Sequence, residues 1–274
     1  MKILITGSSG VAALSIINQF LLTDHELILT DRISLNQDEI IGDLSNFNFV
    51  QNLIKENQPD FIVHLAANTN VDLCEQNKMS ALLDNFVATK NIIDVATPNQ
   101  IPIIFTSSAS VFRGNKKSGY SEDDLPEPSN FYALTKLLAE NYIKSNMKKY
   151  VILRLGWLVG DYKRSNKFVG QILSKIKNGD KEFYGVNNIW GSLTFANDLA
   201  KIIQLLIEKE KFGVFNLASI GSVSRYEMLV KIIELLELQN SISLVGVKND
   251  FFKLSAKRPK YEILKLDKII DSNL

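Results

Sequence analysis

Short apolar runs alternate with amphipathic stretches along this chain. Lys2 to Thr6 is an apolar run of strand length, broken by Gly7-Ser8-Ser9-Gly10, and Leu14 to Leu22 follows with helical apolar spacing. Glu26 to Thr30 predicts a second strand, which ends in Asp31-Arg32. Asn46 to Asn57 predicts a weakly amphipathic helix stopped by Gln58-Pro59, and Phe61 to Ala67 is a nearly continuous apolar strand of the kind buried in a parallel sheet. Ala81 to Ala96 predicts a helix. Pro98 and Pro102 then close the turn before Ile103-Ile104-Phe105, a strand that carries Thr106-Ser107-Ser108 at its end. A loop-rich stretch from Gly114 to Asn130 leads to a helix at Phe131-Tyr132, and Tyr150 to Leu155 predicts the next strand. Such alternation implies an α/β fold with a parallel sheet wound on both faces.

The rhythm loosens from Gly156-Trp157-Leu158-Val159-Gly160 onward. Beyond it come a helix from Phe168 to Asn178, a turn at Asn187-Asn188, the segment Leu193-Thr194-Phe195, a helix from Asp198 to Glu208 and a strand from Val214 to Leu217. Ser224 and Glu227 form a capping-box pattern at the start of a helix from Tyr226 to Leu236. The expected division is a nucleotide-binding domain over 1–160, with returning elements at about 193–219, and a smaller lobe made of 161–192 and 220–274.

Composition narrows the class. The 274 residues are 46% hydrophobic and 22% charged with a net charge of +1, the profile of a globular protein with no general attraction for nucleic acid. Lys148-Lys149 and Lys257-Arg258-Pro259-Lys260 read as solvated clusters, the second also placed to meet a phosphate on a small ligand. Cys74 is the one cysteine, and His25 and His64 lack metal-ligand spacing, so neither a disulfide nor a metal is expected. The first residues are interrupted by glycine before a signal-peptide core is complete, and no apolar run reaches transmembrane length; a cytoplasmic protein is expected.

Strand, glycine turn and helix come in the order that a nucleotide phosphate site requires. Gly7 permits the tight turn, Gly10 lets a pyrophosphate approach, Ala13 lets helix pack on strand, and Ser9 and Val11 lie in the same loop. Asp31, about twenty residues on, suits the ribose 2′-hydroxyl of NAD, whereas Arg32 suits the 2′-phosphate of NADP; both cofactors stay open. Gly7, Asp31, Ala67 and Ser108 all fall at strand ends, where ligands of such sheets bind. Tyr132 and Lys136 lie four apart, so a helix stacks phenol and ammonium on one face. Stabilising a phenolate at neutral pH takes about 4 kcal/mol, and a surface pair supplies only ~0.2–0.5 kcal/mol, so the pair needs a water-excluding cleft. Tyr261 and Lys265 share the spacing without a strand-end serine before them.

These motifs together resemble the extended short-chain dehydrogenase/reductase superfamily, a Rossmann-type fold with a smaller C-terminal substrate-binding lobe, and within it the dTDP-4-dehydrorhamnose reductase group. The resemblance runs from Lys2 to about Ile269 and rests on Thr6-Gly7-Ser8-Ser9-Gly10, Gly42-Asp43-Leu44-Ser45-Asn46, Ala66-Ala67-Asn68-Thr69-Asn70-Val71-Asp72, Ser107-Ser108, Tyr132 with Lys136, Arg154-Leu155-Gly156-Trp157 and Arg258-Pro259. It implies a catalytic triad of Ser108, Tyr132 and Lys136, of which Tyr132 and Lys136 would also touch the cofactor, Lys136 binding the nicotinamide ribose while acidifying the phenol. Asp43 and Leu44 would flank adenine; Ala66, Ala67 and Thr69 would wall the cofactor, NADP or NAD. Val71, Trp157 and Arg258, with Ser108, Ala109 and Ser110, would face a nucleotide-sugar substrate.

Some positions depart from the group. Ser108-Ala109-Ser110 stands where Thr-Asp-Tyr is usual, Ala13 replaces a third glycine, Leu193 replaces a proline, and the chain stops at Leu274 before a terminal helix many relatives carry. The expected activity is NAD(P)H-dependent reduction of a 4-keto nucleotide-activated deoxysugar in cell-surface polysaccharide precursor synthesis. The alternatives are a nucleotide-sugar epimerase that retains NAD, and a non-catalytic NADP-binding subunit like the β-subunit of methionine adenosyltransferase. A homodimer is compatible with the superfamily, and neither nucleic acid nor membrane is an expected partner.

Overall fold

The structure, a computed structural model, describes residues 1–33, 39–161 and 167–274. Its first part runs β1 (Lys2–Thr6), α1 (Ala13–Phe20), β2 (Glu26–Asp31), β3 (Ile40–Ile41), α2 (Phe47–Asn57), β4 (Phe61–His64), α3 (Val71–Gln76), α4 (Lys78–Leu82), α5 (Ala88–Ala96), β5 (Ile103–Ser108), α6 (Phe131–Asn146) and β6 (Tyr150–Leu155). There follow β7 (Trp157–Val159), α7 (Phe168–Lys177), β8 (Glu182–Val186), β9 (Trp190–Gly191), β10 (Leu193–Phe195), α8 (Ala196–Glu208) and β11 (Gly213–Leu217). The last elements are β12 (Val223–Ser224), α9 (Arg225–Leu235), β13 (Ser243–Val247), β14 (Tyr261–Glu262) and α10 (Asp267–Asp271).

Seven strands form one parallel sheet in the order β11-β6-β5-β4-β1-β2-β3. Side chains alternate across each strand, so each strand feeds two cores. Ile3, Ile5, Val63 and Ile104 meet α1 and α8 on one face, whereas Leu4, Ile62, Ile103 and Phe105 meet α2, α5 and α6 on the other. The doubly wound sheet is therefore as the alternating pattern predicts. Strand order reverses between β1 and β4, and at such a switch point the carboxyl ends of the strands open a crevice.

Two local expectations change, and two later segments take definite form. β4 stops at His64, so Leu65, Ala66 and Ala67 are free to line the crevice. The helix expected over Ala81 to Ala96 begins at Lys78 and widens into a π turn at Leu83–Val87. The segment after Gly156, where the rhythm loosens, forms β7, paired with β10. Finally, β8 and β13 pair in parallel beneath α9, with Ile172, Phe183, Leu229, Ile233 and Ile242 forming a core separate from the main sheet. The capping box at Ser224 and Glu227 is present. Residues 162–166, inside the expected lobe segment, lie outside the described residues, and no helix among the described residues is long and apolar enough to cross a membrane.

Arg154 of β6 and Glu140 of α6 form a fully buried pair. Arg154 Nη2 donates to Glu140 Oε2 at 2.8 Å and its Nε to Oε1 at 3.1 Å, while Ser107 Oγ of β5 donates to Oε1 at 2.6 Å. Burial alone would raise the Glu140 carboxyl, but Arg154, Ser107 and Lys144 outweigh it and hold the group below its ordinary value. Removing one member leaves a buried charge alone, which costs about 3–5 kcal/mol, whereas replacing both by apolar groups is often neutral. Glu140→Leu should therefore lower the free energy of urea unfolding by about 3–5 kcal/mol, and adding Arg154→Met should restore most of the loss; an equal loss in single and double variants would contradict this account.

Candidate active site

Two adjoining cavities of about 590 and 330 Å³ share Gly7, Gly10, Leu65 and Ala67 and together run along the carboxyl ends of the strands. At their junction Gly7 adopts a φ of +73°, and a Cβ there would lie 2.7 Å from the Ala66 backbone. Only glycine fits that approach. Gly10 N donates to Gly7 O and Ala13 N to Gly10 O, and the residue before α1, Ala12, supplies no side-chain cap. The helix thus starts with uncapped N–H groups on the cavity, a setting that suits a phosphate. The buried Ser8 hydroxyl has no partner in the described structure, but Ser8 lines neither cavity.

The smaller cavity is lined by Ser9, Asp31, Arg32, Leu44, Ala66 and Ala67. Asp31 Oδ2 accepts from Ser9 N at 2.9 Å and Ser9 Oγ at 2.6 Å, so this carboxylate braces the glycine loop while bordering the cavity. Arg32 Nη2 pairs with Asp84 at 2.5 Å and with Asp43 at 3.3 Å. Asp43 also accepts from Ser45 N, which turns it toward Arg32 and its own loop rather than into the cavity. Asp84, on the π turn, was not anticipated. Nor was Asn85, which accepts from Asn68 N at 2.7 Å and donates to Thr135 Oγ1 at 3.0 Å, tying the Ala67-to-Thr69 wall to α6.

In the larger cavity Ser108, Ser110, Tyr132 and Lys136 come together. Tyr132, Lys136 and Glu140 follow at four-residue intervals on one face of α6. Lys136 is 2% exposed, its Nζ 4.1 Å from the Phe105 ring centre. Burial pushes the Tyr132 phenol well above its ordinary value, against a hydrogen bond with Ser108 that acts the other way. Burial also draws the Lys136 ammonium down to about 7, with Glu140 opposing. Ser108 Oγ lies 2.7 Å from Ser110 Oγ and accepts from Ser110 N at 3.2 Å, capping a 3-10 turn over Ala109–Val111. That turn swings Ala109 away: it packs with Val111, Phe112, Tyr120 and Leu264 and does not line the cavity, contrary to the expectation that it faces the substrate.

Val71, Thr69, Trp157 and Arg258 line the same cavity. Thr69 Oγ1 accepts from Lys167 Nζ, and Arg258 Nη2 pairs with Asp72 at 2.6 Å. Trp157 Nε1 donates to Glu262 Oε2 at 2.7 Å, and the Arg225 guanidinium carbon stands 3.8 Å from the Trp157 ring centre. Neither Arg225 nor Glu262 was anticipated. His64 is a packed residue: Nδ1 bonds Thr6 Oγ1 and Nε2 bonds Thr89 Oγ1, and burial pushes its pKa down to about 3, leaving it neutral. Tyr261 lies in β14, so its spacing to Lys265 does not stack the two groups as a helix would. No cluster of metal-binding side chains occurs among the described residues.

The RmlD substrate binding domain family model matches residues 1–273. The spore coat polysaccharide biosynthesis protein SpsK of Bacillus subtilis is 27% identical over 263 residues, covering 96% of this chain and 88% of that protein. Among solved structures, a dTDP-4-dehydrorhamnose reductase from Clostridium acetobutylicum superposes with a TM-score of 0.91 at 30% identity, over 100% of this chain and 93% of that one. A dTDP-4-dehydrorhamnose reductase from Bacillus anthracis, solved in complex with NADP, gives the same TM-score of 0.91 at 27% identity, over 100% and 93% of the two chains.

The depressed Lys136 pKa gives stability a pH signature. Below about pH 7 the lysine is protonated in both folded and unfolded chains and its full burial penalty is felt; between about 7 and its ordinary value the unfolded chain binds more protons, so stability rises with pH. In the ligand-free protein Lys136→Met should therefore raise the melting temperature most at pH 6, with the advantage shrinking toward pH 10. A pH-independent difference would count against a buried, titrating lysine.

Proposed function

The chain belongs to the RmlD substrate binding domain family, and from that premise we propose that it reduces the keto group of a nucleotide-activated 4-keto-6-deoxysugar with NAD(P)H, as a step toward a cell-surface polysaccharide. The observation that carries this reading is the meeting of Ser108, Tyr132 and Lys136 on the larger cavity, which the glycine loop joins to the smaller one. The glycine loop and uncapped start of α1 hold the cofactor pyrophosphate, with Ser9, Gly10 and Val11 around it. Asp31 and Leu44 border the adenosine, and Ala66, Ala67 and Thr69 form the wall along the cofactor. When bound, the nicotinamide supplies the hydride.

The protein's own part is the proton. Tyr132, kept protonated by burial, releases its phenolic proton to the carbonyl oxygen as that oxygen gains charge. Ser108 donates a hydrogen bond to the same oxygen. The phenolate left on Tyr132 raises the proton affinity of Lys136 four residues on, so the ammonium keeps its proton and stabilises the phenolate. A protonated buried phenol suits the reducing direction. The lobe of 161–192 and 220–274 covers the substrate, which meets Val71, Ser110 and the charged groups around Trp157. The same reading takes the protein as a cytoplasmic enzyme, alone or as a homodimer, without a nucleic-acid partner.

With a dTDP-4-keto-6-deoxysugar and NADH or NADPH, loss of nicotinamide absorbance should be seen, and Tyr132→Phe should slow it by ~10²–10⁴-fold with unchanged cofactor affinity and melting temperature. Tight cofactor binding without turnover of any 4-keto nucleotide sugar would instead favour a non-catalytic binding subunit. The cofactors should also differ. Because Asp84 and Asp43 already pair with Arg32, a 2′-phosphate would meet more negative than positive charge, and NADH should bind more tightly than NADPH in fluorescence titrations. Asp84→Asn should narrow the gap by on the order of tenfold.

A further inference from the structure

We infer that Arg225 is the side chain that grips the diphosphate of the nucleotide-sugar substrate, presented to it on the ring of Trp157. The inference rests on the reading of the cleft as a nucleotide-sugar site and goes beyond it by naming the anchor.

The surroundings of Trp157 leave its ring no free face. On one side is Gly191, where a Cβ would stand 2.5 Å from Cε2 and 2.8 Å from Cδ2 and Cζ2 of the indole. Those three atoms surround the ring junction, so Gly191 lies over the ring rather than at its rim. On the other side is the Arg225 guanidinium, its carbon 3.8 Å from the ring centre. The two cannot share a face without overlapping. The indole N–H is taken by Glu262 Oε2 at 2.7 Å. A ring covered on both faces and bonded at its nitrogen cannot serve as a stacking platform for a sugar or a base; it holds up an arginine.

That arginine is short of partners. A guanidinium carries five N–H donors. The described structure gives Arg225 one weak contact, from Nη1 to Met228 Sδ at 3.4 Å, and no carboxylate within ion-pair distance. Phe168 stands on it as well, with its ring centre 4.7 Å from the guanidinium carbon, so the plane is fixed by aromatic rings while its donors stay open. The guanidinium lines the larger cavity with Tyr132 and Lys136. Burial draws its pKa to about 10, so it is charged at neutral pH. Arg258, the other guanidinium of the cavity, is committed: Nη2 to Asp72 at 2.6 Å and Nη1 to Ala256 O at 2.8 Å. A planar, charged, under-bonded fork in a cleft fits a phosphate oxygen pair, which it can meet with two parallel hydrogen bonds.

The test is calorimetric titration of dTDP and of thymidine into the full chain with NADH present, for wild type, Arg225→Met and Arg225→Lys. Methionine keeps apolar cover on the indole and removes the fork. The expected result is a dTDP affinity at least tenfold weaker in Arg225→Met, an intermediate value in Arg225→Lys, and unchanged affinities for thymidine and NADH. Equal dTDP affinity in wild type and Arg225→Met would overturn the inference alone, and would point to a carboxylate or another anion as the partner. Equal losses for thymidine and dTDP would also overturn it, by showing a structural role. A wild type that binds NADH but neither dTDP nor UDP nor GDP would overturn the nucleotide-sugar reading together with the inference.

Discussion

The geometry of the cleft depends on one buried charge pair. Arg154 on β6 and Glu140 on α6 lock strand to helix, and Ser107 on β5 joins them. Arg154 Nη1 also donates to the Glu122 carbonyl, whose side chain accepts from Asn216 N on β11, so the loop before α6 is fastened to the same point. Ser107 and Ser108 are neighbours on a strand and point to opposite sides. The first reaches Glu140 and the second reaches the cavity. Glu140, Lys136 and Tyr132 ascend one face of α6 at four-residue steps, so fixing the lowest of them sets the height and rotation of the other two. A buried ion pair contributes little net stability, yet here it determines where a phenol and a serine hydroxyl meet.

Burial then does opposite things to the two titrating groups above it. The phenol is pushed up and the ammonium down, so the ligand-free site favours a neutral acid beside a lysine that holds its proton weakly. Neither shift requires a partner of opposite sign in contact. Each follows from keeping water out, which the apolar rows of β5 and α6 accomplish. The polar groups that can reverse the shifts have to arrive with ligands. That couples the ionisation of the pair to occupancy of the cleft.

Much of this was legible in the sequence because the sheet has a strict period. Continuous apolar runs at Lys2 to Thr6, Phe61 to His64 and Tyr150 to Leu155 have one burial solution, and the glycine loop can only follow the first of them. Tyr132 and Lys136 separate from Tyr261 and Lys265 through the element each occupies, helix against strand. What escaped was short or distant. α3 has six residues, too few for a helical period to declare itself, and β8 and β13 each carry a glycine inside a five-residue run. Ala109 was misjudged because a serine cap turns the chain inward directly after β5. Asp84, Glu262 and Arg225 acquire meaning from partners brought near by tertiary folding, and no local spacing announces them.

The three arginines along the cleft show how charge can be assigned by neighbours rather than by residue type. Arg32 and Arg258 are both written as candidate phosphate contacts, yet each is paired with carboxylates, Arg32 with Asp84 and Asp43 and Arg258 with Asp72. Arg225 has aromatic rings around it instead. Rings hold a guanidinium without consuming its hydrogen-bond donors, whereas carboxylates consume them. The pyrophosphate of a dinucleotide meets backbone N–H groups at the start of α1, which need no cation at all. If a second diphosphate is to lie in the same cleft, a cation kept available at the other end separates the two anions and gives each its own ground. An arginine set between Trp157 and Phe168 does this, and an arginine set against aspartate does not.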